Sequence, residues 1–401
     1  MDSKIQDYID EVELFSAHHY HPIPVVISHG EGCWATDIQG RKYLDMLSAY
    51  SALNQGHRHP KIIAAAKKQM DSLTLTSCAF HNDQMGKFLH RLTSLIGYDK
   101  ALLMNTGAEA VETAIKASRR WGYKVKSVPA NQAEIIVCAN NFHGRTTTIV
   151  GFSSNFISSD GFGAFSTGFK MIPYGDSDAL EKAINPNTVG FLVEPIQGEA
   201  GVIVPPKNYL KKCREITKNN NVLLITDEIQ TGLGRTGKLF CYEHDQVRPD
   251  IVIVGKALGG GVYPVSAILA DDQIMLTSFE PGSHGSTFGG NPLGCAIANT
   301  ALDVIIDEKL PERSRELGDY FLGCLNSLDS PVIKEVRGKG LLVAIELYPK
   351  AKSARYFAET LLKEGILAKE THDVTIRFAP PLIISKEEID WAMERIKKFF
   401  Q

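Results

Sequence analysis

Residues 190–227 read GFLVEPIQGEAGVIVPPKNYLKKCREITKNNNVLLITD and contain a strand–helix–strand pattern. The two ends, 190–194 and 222–227, are nearly all apolar, which is typical of strands that helices cover on both faces. Between them, residues 208–219 carry apolar side chains at helical spacing. A helix that joins two buried strands predicts a βαβ unit and therefore a parallel sheet.

Other apolar runs continue this pattern along the chain. Residues 135–139 and 251–254 predict two more buried strands, and 101–104 predicts another strand upstream. After about residue 300 the pattern changes, which predicts a second, smaller α+β domain. The elements predicted there are helices at 317–328, 351–364 and 386–400, and strands at 340–347 and 374–378.

These patterns predict an α/β fold in three parts. Residues 46–290 form a large domain with a mostly parallel central sheet sandwiched by helices. Residues 291–401 form the smaller α+β domain. Residues 1–45, in which Pro22 and Pro24 interrupt helix, are expected to pack on the small domain or on a partner subunit.

Composition and charge argue against several classes of protein. With 44% hydrophobic and 22% charged residues, the chain has the composition of an ordinary globular protein. Its formal net charge of −3 gives no electrostatic reason to bind nucleic acid or a membrane surface. No apolar run has the roughly 18 residues that a membrane span needs. The N-terminus is acidic and polar without a signal core, so the expected location is the cytoplasm.

Two further kinds of site are not expected. The seven cysteines are scattered and form no CxxC pair, so separate reduced cysteines are predicted, with no zinc site and no disulfide framework. The sequence has no GxxxxGK[ST] run and no GxGxxG directly at the end of a predicted strand, which argues against a nucleotide-binding module.

An amine and an acid follow neighbouring strands, where ligands of an open parallel sheet bind. Lys256 follows the 251–254 strand, and a lysine desolvated there can lose its proton and form an imine with a carbonyl compound. Asp227 ends the preceding strand, and its charge suits a protonated pyridine nitrogen. Taken singly, each also fits a structural interpretation: a surface lysine and a helix N-cap aspartate.

Two small-residue segments are candidate phosphate sites. Residues 106–108, Thr-Gly-Ala, precede a helical pattern at 109–121, and a helix N-terminus presents free N–H groups to an anion. The second segment, 285–291, offers the hydroxyls of Ser286 and Thr287, although glycine-rich turns are mostly structural.

The segment Phe142-His143-Gly144-Arg145 follows the 135–139 strand. The Phe142 ring could stack on a pyridine face, and Arg145 could grip a carboxylate with two nitrogens. The structural alternatives are a core phenylalanine and a surface arginine. His143 is not expected to carry protons, because Lys256 would already do that work.

Together these residues resemble the class III, or subgroup II, aminotransferases of the fold-type I pyridoxal 5′-phosphate (PLP) enzymes. The resemblance runs from SAHHY at 16–20 to IRFAPPL at 376–382, and its motifs occur in the family's order. The matching blocks between these ends are AYSALNQGH (49–57), MNTGAE (104–109), EPIQGEAG (194–201), DEIQTGLGRTG (227–237), GKAL (255–258) and HGST (284–287). Several motifs in the family's order are more specific than any single motif. Their joint presence argues against the structural interpretations given above for the single residues.

The resemblance implies how PLP is held. Lys256 would attach the cofactor and shuttle a proton between the substrate carbon and the cofactor. The other implied contacts are Asp227 with the pyridine nitrogen, Gln230 with O3′, Phe142 with the ring face, and Thr106, Gly107, Ala108, Ser286 and Thr287 with the phosphate. Thr287 would reach across from the second subunit of a homodimer that shares its active sites.

The resemblance also implies the substrates: the terminal amine of L-ornithine is transferred to 2-oxoglutarate. Arg145 would bind the α-carboxylate of ornithine, and Tyr20 and Tyr50 its α-amino end. Arg377 would bind the α-carboxylate of 2-oxoglutarate, with Glu199 masking it during the first half-reaction. A permanent structural ion pair of Glu199 and Arg377 is the alternative.

Other functions stay open at this point. N-acetylornithine and 4-aminobutyrate have no free α-ammonium, so the tyrosine pair argues against them. An aminomutase of the glutamate-semialdehyde type would not alternate between two substrates, so a Glu199–Arg377 gate argues against it. A non-catalytic protein of the same fold is disfavoured because Lys256 and Asp227 are both intact. Arginine breakdown and proline supply are both compatible with the predicted chemistry.

Overall fold

A seven-stranded sheet lies at the centre of the computed structural model, which describes residues 3–400. In chain order the strands are β1 (Ile27–Glu31), β2 (Trp34–Asp37), β3 (Lys42–Asp45), β4 (Lys100–Met104), β5 (Glu134–Cys138), β6 (Phe169–Ile172), β7 (Thr188–Val193), β8 (Leu223–Asp227), β9 (Ile251–Val254), β10 (Ser266–Ala270), β11 (Ile333–Lys339), β12 (Leu342–Leu347), β13 (Ile366–Leu367), β14 (Lys369–Thr371) and β15 (Thr375–Phe378).

The helices alternate with these strands through the middle of the chain. They are α1 (Ser3–Phe15), α2 (Ser48–Ser51), α3 (Pro60–Met70), α4 (Met85–Ile96), α5 (Gly107–Lys124), α6 (Thr147–Val150), α7 (Phe156–Ser159), α8 (Ser177–Ala183), α9 (Tyr209–Asn219), α10 (Asp272–Ser278), α11 (Pro292–Asp307), α12 (Leu310–Asn326), α13 (Ala354–Lys363) and α14 (Lys386–Phe400). Three long helices begin at side chains that accept a backbone N–H, which are Thr106, Asn291 and Ser353.

The central sheet has the order β4-β10-β9-β8-β7-β5-β6. Strands β9, β8, β7, β5 and β6 pair in parallel, whereas β10 runs antiparallel to both of its neighbours. The mostly parallel sheet and the fold class predicted from the sequence are confirmed. The strands β6 and β10 were not predicted.

Two apolar cores cover the two faces of this sheet. Ile136 and Leu224 belong to one core, and Ile135 and Ile225 to the other. Successive side chains of a strand point to opposite faces, so a strand between two cores must be apolar throughout. Burying each such side chain contributes about 1.5–3 kcal/mol, which explains the uninterrupted apolar runs.

Two smaller sheets flank the central one. In the first, β1, β2 and β3 join β13, with β3 and β13 parallel, so the N-terminal segment is tied to the C-terminal part of the chain. The second has the order β11-β12-β15-β14 and is antiparallel. The domain boundaries at 45 and 290 stay predictions, and α11 packs on α3 and α4 of the large part. Among the helices described, none has the length and apolar character to cross a membrane.

Candidate active site

The ends of β5, β7, β8 and β9 meet at one edge of the central sheet and surround a cavity of about 200 Å³. The predicted site residues that line it are Gly107, Ala108, Phe142, Glu199, Asp227, Gln230 and Lys256. His143 and Glu194 line it as well. An amine, three carboxylates and a helix N-terminus therefore face one small volume.

Lys256 is the first residue of a 3₁₀ turn, Lys256–Gly259, directly after β9. Its φ of 43° lies in the left-handed region, which costs a residue with a side chain about 1–2 kcal/mol. Burial lowers the pKa of the Lys256 amine, and the nearby charges of Glu199 and Asp227 only partly oppose this effect. Within residues 3–400, its side chain has no hydrogen-bond or ion-pair partner. The amine is thus available for chemistry in the cavity.

Asp227 is held from behind by two contacts. Its Oδ2 lies 2.7 Å from His143 Nδ1, and its Oδ1 accepts a hydrogen bond of 3.0 Å from the Ile229 N–H. Burial would lower the pKa of His143, but the hydrogen bond to Asp227 and the charge of Asp227 raise it. These two contacts fix the orientation of the Asp227 carboxylate. His143 and Asp227 lie 84 positions apart in the chain, so this contact could not be predicted from the sequence.

Glu194, which sequence analysis did not single out, is buried beside this pair. Its Oε1 accepts a hydrogen bond of 2.8 Å from the Phe142 N–H. Burial raises the pKa of Glu194 to about 7, although His143 acts in the opposite direction. Glu194 therefore fixes the backbone that presents the Phe142 ring, which is 36% exposed at the cavity.

The start of α5 forms another wall of the cavity. The Thr106 hydroxyl accepts from the Glu109 N–H, and the Glu109 carboxylate accepts from the N–H groups of Asn105 and Thr106. The Thr106 side chain is thus used to begin the helix. In the part of the chain that the structure describes, the N–H groups of Gly107 and Ala108 have no acceptor, as expected at a helix N-terminus. They are placed to bind an anion.

The two hydroxyl residues of the second candidate phosphate segment lie in different surroundings. Ser286 Oγ accepts a 2.8 Å hydrogen bond from Asn105 Nδ2 and so lies next to the start of α5. Thr287 is exposed and does not line the cavity of its own chain. Its role across a subunit interface stays a prediction.

A second cavity of about 380 Å³ adjoins the first at Phe142, Glu199 and Lys256. It brings together all five predicted substrate residues, which are Tyr20, Tyr50, Arg145, Glu199 and Arg377. Its remaining wall contains residues that sequence analysis missed, namely Asn155, Lys369, Glu370, Thr371 and His372.

Glu199 and Arg377 form a two-pronged ion pair between the cavities. The distances are 2.6 Å from Nη1 to Oε1 and 3.3 Å from Nη2 to Oε2. Burial would raise the pKa of Glu199, but the Arg377 guanidinium lowers it to about 2. Gln230 Nε2 also donates to Glu199, at 3.1 Å, and the Arg377 guanidinium lies 5.2 Å from the Tyr50 ring centre. Glu199 thus covers Arg377 in this structure.

Tyr50 lies in a turn, α2, with unusual backbone torsions. All four residues of α2, from Ser48 to Ser51, have positive φ values between 47° and 72°, and none is glycine. The turn is held by Ser48, whose N–H donates to Asp45 Oδ1 at 2.7 Å and whose hydroxyl donates to the Ala379 carbonyl at 2.6 Å. Such contacts offset the backbone strain and fix Tyr50 over Arg377.

Comparison with known proteins identifies the family. A family model described as "Aminotransferase class-III" matches residues 15–400. The chain belongs to the class-III aminotransferases. An ornithine aminotransferase of Brevibacillus brevis is 60% identical to this aminotransferase over 99% of its chain and 98% of the relative.

Two solved structures are similar to this aminotransferase. The ornithine aminotransferase of Toxoplasma gondii, described with partial occupancy of PLP at its active site, has a TM-score of 0.97 at 47% identity and covers 99% of this chain and 94% of its own. The acetylornithine aminotransferase of Elizabethkingia anophelis has a TM-score of 0.90 at 48% identity, with 98% coverage of both chains.

The residues of this class-III aminotransferase fit PLP, the cofactor of its family. The cavity offers an amine for the aldehyde, a carboxylate for the pyridine nitrogen, an open aromatic face for the ring and two free N–H groups for the phosphate. The space is kept open by small residues: a Cβ on Gly107 would lie 2.9 Å from Ile229 Cδ1, and one on Gly144 would lie 2.9 Å from Ala108 Cβ.

Proposed function

We propose that this aminotransferase transfers the terminal amino group of L-ornithine to 2-oxoglutarate. The observation that carries the proposal is a single cavity with two arginines at different places: Arg145 at the outer end, beside Tyr20, and Arg377 under Glu199 near Lys256. The name and the 60% identity of the Brevibacillus brevis relative support the same substrate.

Four side chains would hold PLP in the smaller cavity of about 200 Å³, which we call the inner cavity. Lys256 would attach it, Asp227 would face the pyridine nitrogen, Phe142 would cover the ring and Gln230 would face O3′. The N–H groups of Gly107 and Ala108 would bind the phosphate beside Ser286 and Thr106, with Thr287 of the partner subunit completing the site. When bound, PLP supplies an electron sink for breaking the C–H bond of the amino donor.

Lys256 Nζ moves the proton in this proposal. Because burial lowers its pKa, the amine is more often neutral than an exposed lysine and can accept the proton released from the substrate carbon. Asp227, held in place by its hydrogen bond with His143, would keep its carboxylate against the pyridine nitrogen. The two groups therefore have separate roles: Lys256 would move a proton, and Asp227 would bind the pyridine nitrogen.

The two arginines decide which end of each substrate reaches Lys256. Ornithine would place its α-carboxylate on Arg145 and its α-amino group between Tyr20 and Tyr50, so that its terminal amine lies at Lys256. With a pKa of about 2, Glu199 remains ionised at working pH and keeps Arg377 covered. 2-Oxoglutarate would displace Glu199, because its α-carboxylate must lie next to its reacting keto carbon.

The product of the first half-reaction carries an amine within reach of its own aldehyde. Glutamate 5-semialdehyde would therefore cyclise to pyrroline-5-carboxylate, and this loss of aldehyde draws the reaction forward. The second half-reaction gives L-glutamate.

Residue Thr287 and the exposed loop around it also lead us to propose a homodimer with shared active sites. The cytoplasm is the proposed location.

N-Acetylornithine is the second candidate amino donor, because the similar structure from Elizabethkingia anophelis is an acetylornithine aminotransferase. Its blocked α-amine cannot give the tyrosine pair a charged partner. The two substrates therefore differ at Tyr20 and Tyr50, whereas Arg145 would serve both.

The test is to follow the absorbance of the enzyme-bound cofactor. L-Ornithine alone should convert the aldehyde form of the cofactor to the amine form, and 2-oxoglutarate should restore the starting spectrum. The products should be pyrroline-5-carboxylate and glutamate. A faster conversion with N-acetylornithine or 4-aminobutyrate would overturn the choice of substrate, and no conversion with any amine would overturn the function.

A further inference from the structure

Tyr20 lines the second cavity of about 380 Å³, which we call the substrate cavity. It lies on an exposed stretch of chain, residues 17–22, that contains neither helix nor strand. Tyr20 itself is 58% exposed, and its ring centre lies 6.0 Å from the Arg145 guanidinium. Ordering such a stretch costs conformational entropy. If Tyr20 is to stay at one place in the cavity, contacts outside the stretch must hold it.

Arg355, near the start of α13, makes such contacts. Its Nη1 donates to the His21 carbonyl at 2.9 Å, and its Nη2 donates to the Pro22 carbonyl at 2.6 Å. These are the two carbonyls that directly follow Tyr20 in the chain. One planar guanidinium thus grips both, as its fork of donors permits.

Two carboxylates fix the direction of this guanidinium. Arg355 Nε donates to Glu359 Oε1 at 2.6 Å, and Nη1 also lies 3.2 Å from Glu370 Oε1. Glu359 is on the same helix, and Glu370 lies on β14, next to the strand that carries Arg377. Arg355 therefore ties the Tyr20 stretch to the sheet that holds the second arginine of the cavity.

We propose that Arg355 is a positioning residue for the amino donor: by binding the His21 and Pro22 carbonyls it holds Tyr20 at the substrate cavity. Arg355 does not itself line that cavity, so it acts through Tyr20. The inference rests on the proposed function, in which Tyr20 binds the α-amino end of ornithine. 2-Oxoglutarate uses Arg377 and does not need Tyr20, so only one half-reaction depends on Arg355.

The test is the kinetics of Arg355→Met with both substrates. Losing two hydrogen bonds should raise the KM for ornithine roughly tenfold and leave kcat within about twofold. The KM for 2-oxoglutarate should not change. Arg355→Lys, which keeps the charge but can reach one carbonyl at a time, should fall between wild type and Arg355→Met.

Arg41 provides a matched control. It also donates to backbone carbonyls, those of Leu362 and Lys363 at the far end of α13, but neither of these hydrogen bonds involves the Tyr20 stretch. Arg41→Met should leave both KM values unchanged. Equal effects of Arg41→Met and Arg355→Met would show that any loosening of α13 has the same result, and the proposal would fall.

A double-mutant comparison separates positioning from general stability. If Arg355 acts through Tyr20, then Arg355→Met should have little further effect on the ornithine KM in a Tyr20→Ala background. An undiminished effect in that background, or a parallel change in kcat and in the KM for 2-oxoglutarate, would overturn the proposal. If Arg355→Met does not fold, Arg355→Lys gives the same comparison.

The two proposals fail in different ways. If the wild-type enzyme does not use ornithine, the proposed function fails before any variant is measured. If wild type uses ornithine and the Arg355 variants match it in KM, only the positioning role fails.

Discussion

His143 Nδ1 lies 2.7 Å from Asp227 Oδ2, and both of these buried side chains line the inner cavity. A hydrogen bond to a carboxylate is stronger in such surroundings than in water. Within the described chain, the second ring nitrogen, His143 Nε2, has no partner. The imidazole thus has one hydrogen-bonding neighbour, Asp227, which also lines the cavity proposed to hold PLP.

Replacing His143 with asparagine should make the stability of the protein less dependent on pH. The folded protein raises the pKa of His143, so the stabilisation by the charged pair is fully present below about pH 6.5 and is lost as pH rises through the raised pKa. Asparagine keeps a neutral donor near the Nδ1 position. In urea unfolding, the free energy of unfolding of wild type should exceed that of the variant by on the order of 1–2 kcal/mol at low pH. This difference should shrink at higher pH. A constant difference would contradict this prediction.

Asp227→Asn should lower kcat by at least about a hundredfold, the usual cost of removing one fixed electrostatic contact to a reacting system. Glu228→Gln is the control, because Glu228 is the next residue, is equally buried and does not line the cavity. Its carboxylate binds the Thr231 hydroxyl and the Tyr242 N–H instead. Steady-state turnover of ornithine measures both. A comparable loss in Glu228→Gln would point to disturbed folding of the whole β8 end.

Lys256→Ala should abolish covalent attachment of the cofactor. Borohydride reduction followed by mass spectrometry of the denatured chain should show added cofactor mass in wild type and none in the variant. Lys126→Met is a suitable control, because burial also lowers the pKa of Lys126, but its amine is bound to the Thr188 and Asn220 carbonyls. Label retained in Lys256→Ala would contradict the assignment.

Glu199→Gln should weaken the choice between the two ends of ornithine. Without a charged partner, Arg377 is free to bind the α-carboxylate of ornithine, which brings the α-amine to Lys256. The fraction of turnovers that yield pyrroline-5-carboxylate should drop several-fold, as expected for the loss of one buried ion pair. Product analysis by mass spectrometry measures this fraction. An unchanged product ratio would favour a permanent structural role for the pair.

Ala49→Gly should stabilise the protein, because Ala49 has a φ of 48° and glycine adopts that conformation without strain. The expected gain is about 1 kcal/mol, seen as a higher melting temperature. The same change at Ala64, an exposed residue within α3, should cost about 0.5–1 kcal/mol. A loss of stability at both positions would contradict the strain at Ala49.

The buried strands could be predicted from the sequence, because strands that are buried on both faces consist almost entirely of apolar residues. The strands β7, β8 and β9 are buried on both faces, so their apolar runs stand out. Lys256 and Asp227 could be singled out because each directly follows or ends such a run. In contrast, β6 has exposed residues and no regular alternation, and it could not be recognised in the same way.

Other features depend on contacts between distant parts of the chain. Nothing in the sequence Ser-Ala-Tyr-Ser of α2 favours positive φ, since neither glycine nor asparagine is present. The turn exists because Asp45 and the Ala379 carbonyl hold Ser48 from both sides. The grip of Arg355 on the carbonyls after Tyr20 likewise joins residues more than three hundred positions apart.

The reversed direction of β10 affects how firmly Lys256 is mounted. A parallel neighbour of β9 would require a crossover of about a dozen residues or more, usually through a helix. Because β10 is antiparallel, residues 255–265 return directly into the same sheet, and Gln55 Nε2 fastens this short bridge by donating to the Ala257 carbonyl at 2.9 Å. The backbone is therefore fixed on both sides of Lys256. The position of its amine in the cavity then depends on the torsions of its own side chain.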